Sequence, residues 1–161
     1  MRRTAVFPVI RFFYEDVGGW RLPAARRHRA WLQACIRALT SASPVGRLYY
    51  TFLSPEAMAV LHAQYLGDPS PTDVITFPYI EEELVEGEVF IAPQVVKALA
   101  MAYGEAADQA LRRTLAHGLL HLLGWRDDTP ARQREMRQQE ALCLGLWETI
   151  QRVSHETRGG L

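Results

Sequence analysis

Lysine is almost missing from this sequence, with Lys97 alone against 17 arginines in 161 residues. A bias of that kind can follow from the base composition of the source genome, so no function is read from the arginine count. Cysteine is nearly as scarce. Cys35 and Cys143 stand far apart inside apolar stretches, which excludes a disulfide framework and reads as two buried free thiols in a reducing cytoplasm. No apolar run approaches the ~18 residues of a membrane span. The basic opening MRRTAVFPVIRFF is broken by Pro8 and Arg11 before it reaches signal-peptide length. The expectation is a cytoplasmic protein with no membrane partner. Net charge is also absent, yet the average hides a division. Residues 1–50 carry +7 and residues 51–161 carry −7, so the first part is a candidate nucleic-acid surface, with solvated arginine faces as the plainer alternative.

What the chain has is enough apolar residue, 48%, to bury one sizeable core, and residues 1–161 are expected to form a single domain. A core of that size stands without disulfides or a structural metal, so a metal here would serve function. Residues 9–14 read as a first strand, ended by Glu15, Asp16, Gly18 and Gly19. Pro23 opens a helix to about Ser41, with Ala24, Trp31, Leu32, Cys35, Ile36 and Leu39 on its apolar side. After a turn at Ser43, Pro44 and Gly46, residues 47–52 form a second strand. Ser54 and Pro55 supply the N-cap and first residue of a helix through Tyr65. An irregular loop over 66–71 leads to a short strand at 74–77, stopped by Pro78. An acidic loop (Glu81, Glu82, Glu83, Glu86), a strand at 88–91 and helices at 93–103, 106–123 and 130–153 follow. This order predicts an α/β fold in which a roughly four-stranded mixed sheet is packed by about five helices. Arg26, Arg27, His28 and Arg29 fall in the first turns of the first helix, where the macrodipole disfavours positive charge, so ligand contact is a better reason for them than local stability.

The chemistry is most legible over residues 115–128, LAHGLLHLLGWRDD. Positions 115–125 are apolar or glycine except for His117 and His121, so this helix end has no water-facing stripe and should be buried on most sides. Two imidazoles four residues apart share one helix face, the spacing that grips one metal ion. As neutral ligands they avoid the cost of burying a cation. Gly118 between them costs about 1 kcal/mol against alanine in a helix interior, which implies close packing there. Gly124 reads as a C-cap that turns the chain back, leaving Asp127 well placed as a third ligand, with Asp128 the alternative. Ligands of types N, N and O leave an open position, as in a catalytic zinc site. The residue after His117 is glycine, so the glutamate base of the HExxH metalloproteases is missing and ordinary zincin proteolysis is disfavoured.

The run H-G-L-L-H-L-L-G-W-R-D closely resembles the H-G-x-L-H-L-x-G-Y-x-H signature of the YbeY family of bacterial endoribonucleases. Residues 65–77, YLGDPSPTDVITF, resemble that family's Y-x-x-x-D-x-x-T-[DN]-V-[LI]-[ST]-F block, and residues 87–91, GEVFI, resemble its G-D-[IV]-x-I strand. The blocks keep the family's order and spacing, and the likeness spans roughly residues 9–150. The resemblance implies a single-strand-specific, metal-dependent endoribonuclease that matures ribosomal RNA, notably at the small-subunit 3′ end, and acts in ribosome quality control. It implies one zinc per chain on His117, His121 and Asp127, with register favouring Asp127 over Asp128. Its partners would be single-stranded and ribosomal RNA, with the ribosome or its associated proteins.

Two departures matter. Aspartate replaces the family's usual third histidine, which removes one positive unit from the site and should make a water held there less acidic. Leu66 stands where many members carry an arginine suited to phosphate, which weakens the transfer of RNA binding to that position. Glu88 for the usual aspartate is a milder change. As buried strand-end carboxylates, Asp73 and Glu88 are expected to order strands or orient a ligand. Arg112, Arg113, Arg26, Arg27 and Arg29 are the candidate phosphate contacts, and Tyr65, Phe77 and Trp125 the candidate stacking platforms, though for each aromatic taken alone a core role is the better reading. An assembly factor bound to the ribosome, its metal mainly structural, is the alternative function. A metallohydrolase of small molecules or peptides is a weaker third.

Overall fold

Strand alternation divides the apolar residues between two cores. Leu48, Tyr50 and Phe52 of one strand are fully buried on one face of a sheet, while Phe77 and Phe90 on neighbouring strands serve the other. The computed structural model describes residues 8–39, 44–79 and 84–159, the last helix as backbone alone beyond Ile150. Its elements are β1 (Val9–Glu15), α1 (Ala25–Leu39), β2 (Val45–Leu53), α2 (Pro55–Leu66), β3 (Val74–Tyr79), β4 (Val85–Ile91), α3 (Pro93–Tyr103), α4 (Ala107–Leu122) and α5 (Pro130–Gly159). The sheet runs β1-β2-β4-β3, with β1, β2 and β4 parallel and β3 antiparallel at the edge. This is the expected α/β architecture of a four-stranded mixed sheet with five helices.

The larger core joins the sheet to α1, α3, α4 and α5, and the smaller one gathers Leu53, Met58, Ile75 and Ala92 under α2. Ser54 caps α2 as its residue type predicts, its hydroxyl accepting from the Ala57 amide at 3.0 Å. Cys35 and Cys143, distant in sequence, are brought together by α1 and α5 as buried free thiols, and the neighbouring Cys143 together with burial pushes the Cys35 thiol's pKa up.

Several expectations need correction. Pro78 does not stop β3. It pairs with Gly87 inside an edge strand, where a missing N–H breaks no ladder, and a Cβ on Gly87 would stand 2.6 Å from the Phe77 carbonyl oxygen. Helix α1 starts two residues after Pro23 because Ala24 has φ +51°, outside helical space. The buried carboxylate of β4 is Glu86, which accepts from the Arg47 amide at 2.6 Å and from its Nε at 2.8 Å. Glu88 is only half-buried, on the sheet face turned away from α4, and Asp73 is also half-buried. His28, expected among ligand-facing cations, is buried against Trp147 with ring centroids 4.7 Å apart, and burial lowers its pKa. Ser41, Ser43, Glu81, Glu82 and Glu83 lie outside the described residues.

Candidate metal centre

Helix α4 is pressed into the sheet through a glycine. A Cβ on Gly118 would lie 2.6 Å from Val89 Cγ1, so the close packing implied by a glycine in a helix interior is real and its partner is β4. Leu115, Ala116, Leu119 and Leu120 are fully buried around it. The buried side of the helix therefore leaves His117 and His121 on the remaining face, with side chains 24% and 25% exposed.

The end of α4 then returns the chain toward those rings. Gly124, at φ +97°, donates to the His121 carbonyl at 3.0 Å, and Trp125 donates to the Leu120 carbonyl at 3.0 Å. These two bonds make a Schellman close, which requires a left-handed residue at the position Gly124 holds. Three residues later Asp127 projects its carboxylate onto the imidazoles. His117 Nε2 and His121 Nε2 are 2.9 Å apart, and Asp127 Oδ2 lies 3.5 and 3.3 Å from them.

That triangle can be tested against zinc. Tetrahedral bonds of about 2.0–2.1 Å place neighbouring ligand atoms about 3.3 Å apart, which the three separations bracket. Two imidazole nitrogens aimed at one point repel unless they share a cation or a proton. The N, N, O donor set therefore fits a zinc ion, and these three are the one such group of metal-ligating side chains among the described residues. Asp128 is turned elsewhere. Its oxygens accept from Arg132 at 2.8 Å and Arg126 at 2.9 Å, and the Arg132 bond leads the effects that lower its pKa.

Glu140 on α5, absent from the candidates read from the sequence, packs against the triad. It is 5% exposed and its Oε2 lies 3.3 Å from His117 Nδ1, where it fixes the ring with Nε2 toward the triad centre. Burial alone would lower the His117 pKa, but the hydrogen bond and charge of Glu140, with Asp127 and Asp73, raise it on balance. A signal existed, because Glu140 sits in the apolar stripe Met136, Glu140, Cys143, Trp147 of α5, where a carboxylate needs a partner.

Two of the three, His117 and Asp127, line a cleft of about 550 Å³ whose walls also include Asp73, Glu105, Arg113, Thr114 and Glu140; His121 stands behind them. Tyr103, 83% exposed, and Arg137 stand at its rim. Of the sequence candidates, Arg113 lies in this cleft, paired with Glu105 at 3.0 Å and reaching Glu140 at 3.9 Å. Arg112 does not join it; its guanidinium covers the Trp147 ring on another side of α4. Arg29 donates to the Ile10 carbonyl at 3.1 Å and lies over Phe12, while Arg26 is exposed and Arg27 half-buried on the same helix. None of these α1 arginines lines the cleft. Tyr65 and Phe77 pack edge to face at 5.1 Å beside α2, and Glu88 is absent from the cleft walls, whereas Asp73 forms part of them.

Fold and site together define a small α/β protein in which two histidines at the end of one helix and an aspartate of the following loop form a group able to hold a metal ion. The chain belongs to the family described as Endoribonuclease YbeY, whose family model matches residues 22–148. Curated relatives named Endoribonuclease YbeY include one from Parabacteroides distasonis, 32% identical over 139 residues covering 85% of this chain and 94% of the relative. Another, from Kineococcus radiotolerans, is 36% identical over 125 residues, 71% of this chain and 72% of the relative. A Thermotoga maritima protein solved in solution shares the fold with a TM-score of 0.61 at 20% identity, over 89% of this chain and 93% of that one.

Proposed function

We propose that this chain is a zinc-dependent, single-strand-specific endoribonuclease of ribosomal RNA maturation and quality control, acting in the cytoplasm on small-subunit RNA near its 3′ end. Family membership supports the reaction. The observation that carries the metal assignment is the triangle of His117 Nε2, His121 Nε2 and Asp127 Oδ2, two of whose members line an open cleft. Zinc held there would supply Lewis acidity for hydrolysis of an RNA phosphodiester.

The remaining work falls to the chain's own side chains. Glu140 orients His117 and sets its tautomer. Arg137 places positive charge at the cleft rim for backbone phosphates, Arg113 being taken up by Glu105 and Glu140, and Tyr103 offers an exposed ring on which an unpaired base can stack. A duplex has no unstacked base to offer such a ring, which favours single strands. A purely structural metal is the poorer reading, since the buried core of α1, α3, α4 and the sheet is continuous without the triad, whose three side chains keep 24–42% of their surface exposed.

The test is cleavage of a single-stranded RNA and its duplex by zinc-loaded protein, beside a His121→Ala variant purified identically. Cleavage of the single strand by wild type alone supports the assignment. Equal cleavage by both proteins, or by neither, moves the ribosome-bound assembly factor ahead of it.

A further inference from the structure

Consecutive arginines on α4 face different cavities. Arg113 belongs to the metal cleft, whereas Arg112 forms part of the wall of a second cavity of about 370 Å³, with Trp20, His28, Lys97, Asp108 and Trp147. Val96 of α3 borders both, so α3 and α4 separate them.

Arg112 is poorly matched for a buried cation. Its side chain is 13% exposed, and its Nε is buried with no hydrogen-bond partner among the described residues. Among the described residues both Nη atoms reach only the Asp108 carboxylate, each at 3.5 Å, and that carboxylate is itself 74% exposed. One face of the guanidinium is covered by Trp147, with Cζ 4.7 Å from the ring centroid. Withdrawing a cation from water is costly unless an anion answers it nearby. More positive potential surrounds the same space. Lys97 lies on its wall, and Pro93 and Ala107, the first residues of α3 and α4, border it where neither N-cap has a capping side chain. His28 adds no charge, because burial keeps it neutral. The rest of the wall is mostly apolar and includes two indoles.

A volume near 370 Å³ falls at the small end of ligand pockets, which run from about 300 to 1,000 Å³. Two side-chain cations and two helix ends, set against the one exposed Asp108 carboxylate, suit an anionic group, and the half-buried Trp20 indole suits a ring. We propose that this cavity is a second binding site, separate from the metal cleft, for a nucleoside monophosphate, with its phosphate at Arg112 and Lys97 and its base against Trp20, the half-buried indole, while Trp147, buried between His28 and Arg112, holds the guanidinium in place. The proposal stands whether or not the metal cleft cleaves RNA.

Calorimetric titration of the full chain with 5′-AMP, adenosine, inorganic phosphate and a 5′-phosphorylated RNA trinucleotide tests it. AMP should bind once per chain, about tenfold more tightly than adenosine or phosphate. Arg112→Gln should weaken AMP about tenfold, as loss of a charge-assisted contact does. Lys97→Gln, at an exposed position that the fold does not need, should weaken it about threefold. His121→Ala should leave AMP affinity unchanged. If the trinucleotide binds more tightly than AMP and shows the same losses in both variants, the ligand is the 5′ end of an RNA chain, and equal affinity assigns the site to the free nucleotide. Three results overturn the proposal: no saturable AMP binding at millimolar concentration, AMP affinity unaltered by Lys97→Gln, or AMP binding abolished by His121→Ala. Should Arg112→Gln fail to fold, the Lys97→Gln and His121→Ala arms still decide.

Discussion

Replacing Gly118 by alanine would put a methyl group 2.6 Å from Val89 Cγ1 and 3.2 Å from its Cγ2. Carbon atoms in good contact sit about 3.5–4.0 Å apart, so α4 or β4 must give by roughly an ångström. Neither gives easily, because Val89, Leu119 and Leu120 are all fully buried. Alanine would gain about 1 kcal/mol of helix propensity, set against an overpacking cost of about 1–3 kcal/mol. The account predicts a net loss of up to ~2 kcal/mol, read as a lowered denaturation midpoint with unchanged slope. Zinc affinity should fall with it, since any outward shift of α4 carries His117 and His121 but not Asp127, which is held by the following loop. Val89→Ala provides the counter-test. Alone it leaves a cavity and costs about 2 kcal/mol, but in the double variant the new methyl enters the vacated space. The two changes should then be less damaging together than their sum by about 1–3 kcal/mol. Strict additivity, or a Gly118→Ala protein more stable than wild type with unaltered zinc affinity, would refute the packing argument.

Further outcomes follow from the same geometry. Asp127→Ala should abolish tight zinc binding in a competition titration while Asp128→Ala leaves it intact, because Asp128 is committed to Arg126 and Arg132; the reverse would reassign the third ligand. Glu140→Gln keeps the shape of the partner of His117 but removes its charge, and should weaken zinc binding about 10–100-fold. Tyr103→Ala should weaken binding of single-stranded RNA by about 1–3 kcal/mol, measured by fluorescence anisotropy, with zinc affinity unchanged. For His28, burial lowers the folded pKa below the ordinary 6.5, so the unfolded chain binds the proton more readily. The stability tied to its neutral ring is complete above that ordinary value and is lost as pH falls from it through the lowered folded pKa. Denaturation midpoints measured from pH 7.5 to 5 should therefore fall more steeply for wild type than for His28→Gln, and parallel profiles would remove His28 from the account.

The sheet and the convergence of His117, His121 and Asp127 were legible in the sequence for physical reasons. Strong punctuation at Ser54-Pro55, Pro93 and Gly124 marks real caps and turns, and two histidines on a helix end otherwise built of leucine, alanine and glycine have few explanations besides a shared ligand. Pro78 misled because a proline's meaning in a strand depends on whether the strand is an edge, which is a property of the sheet order. Glu140 was missed because it lies 23 residues from His117, and a long-range pair leaves only a local oddity, a carboxylate in an apolar stripe. The candidate arginines, grouped together in the sequence, fall in different surroundings. Arg112 and Arg113 are consecutive, yet about 100° of helix rotation sends one beneath Trp147 and the other into the cleft. Local chemistry can be read from a run of residues, whereas the partner of a long side chain is decided by what packs beside it.

The most direct test of the central proposal is a zinc titration of metal-free protein, followed by the rate of single-stranded RNA cleavage. The account predicts a rate that rises from background and saturates at one zinc per chain, with His121→Ala flat throughout. Full cleavage without metal, or a titration that His121→Ala reproduces, would contradict it.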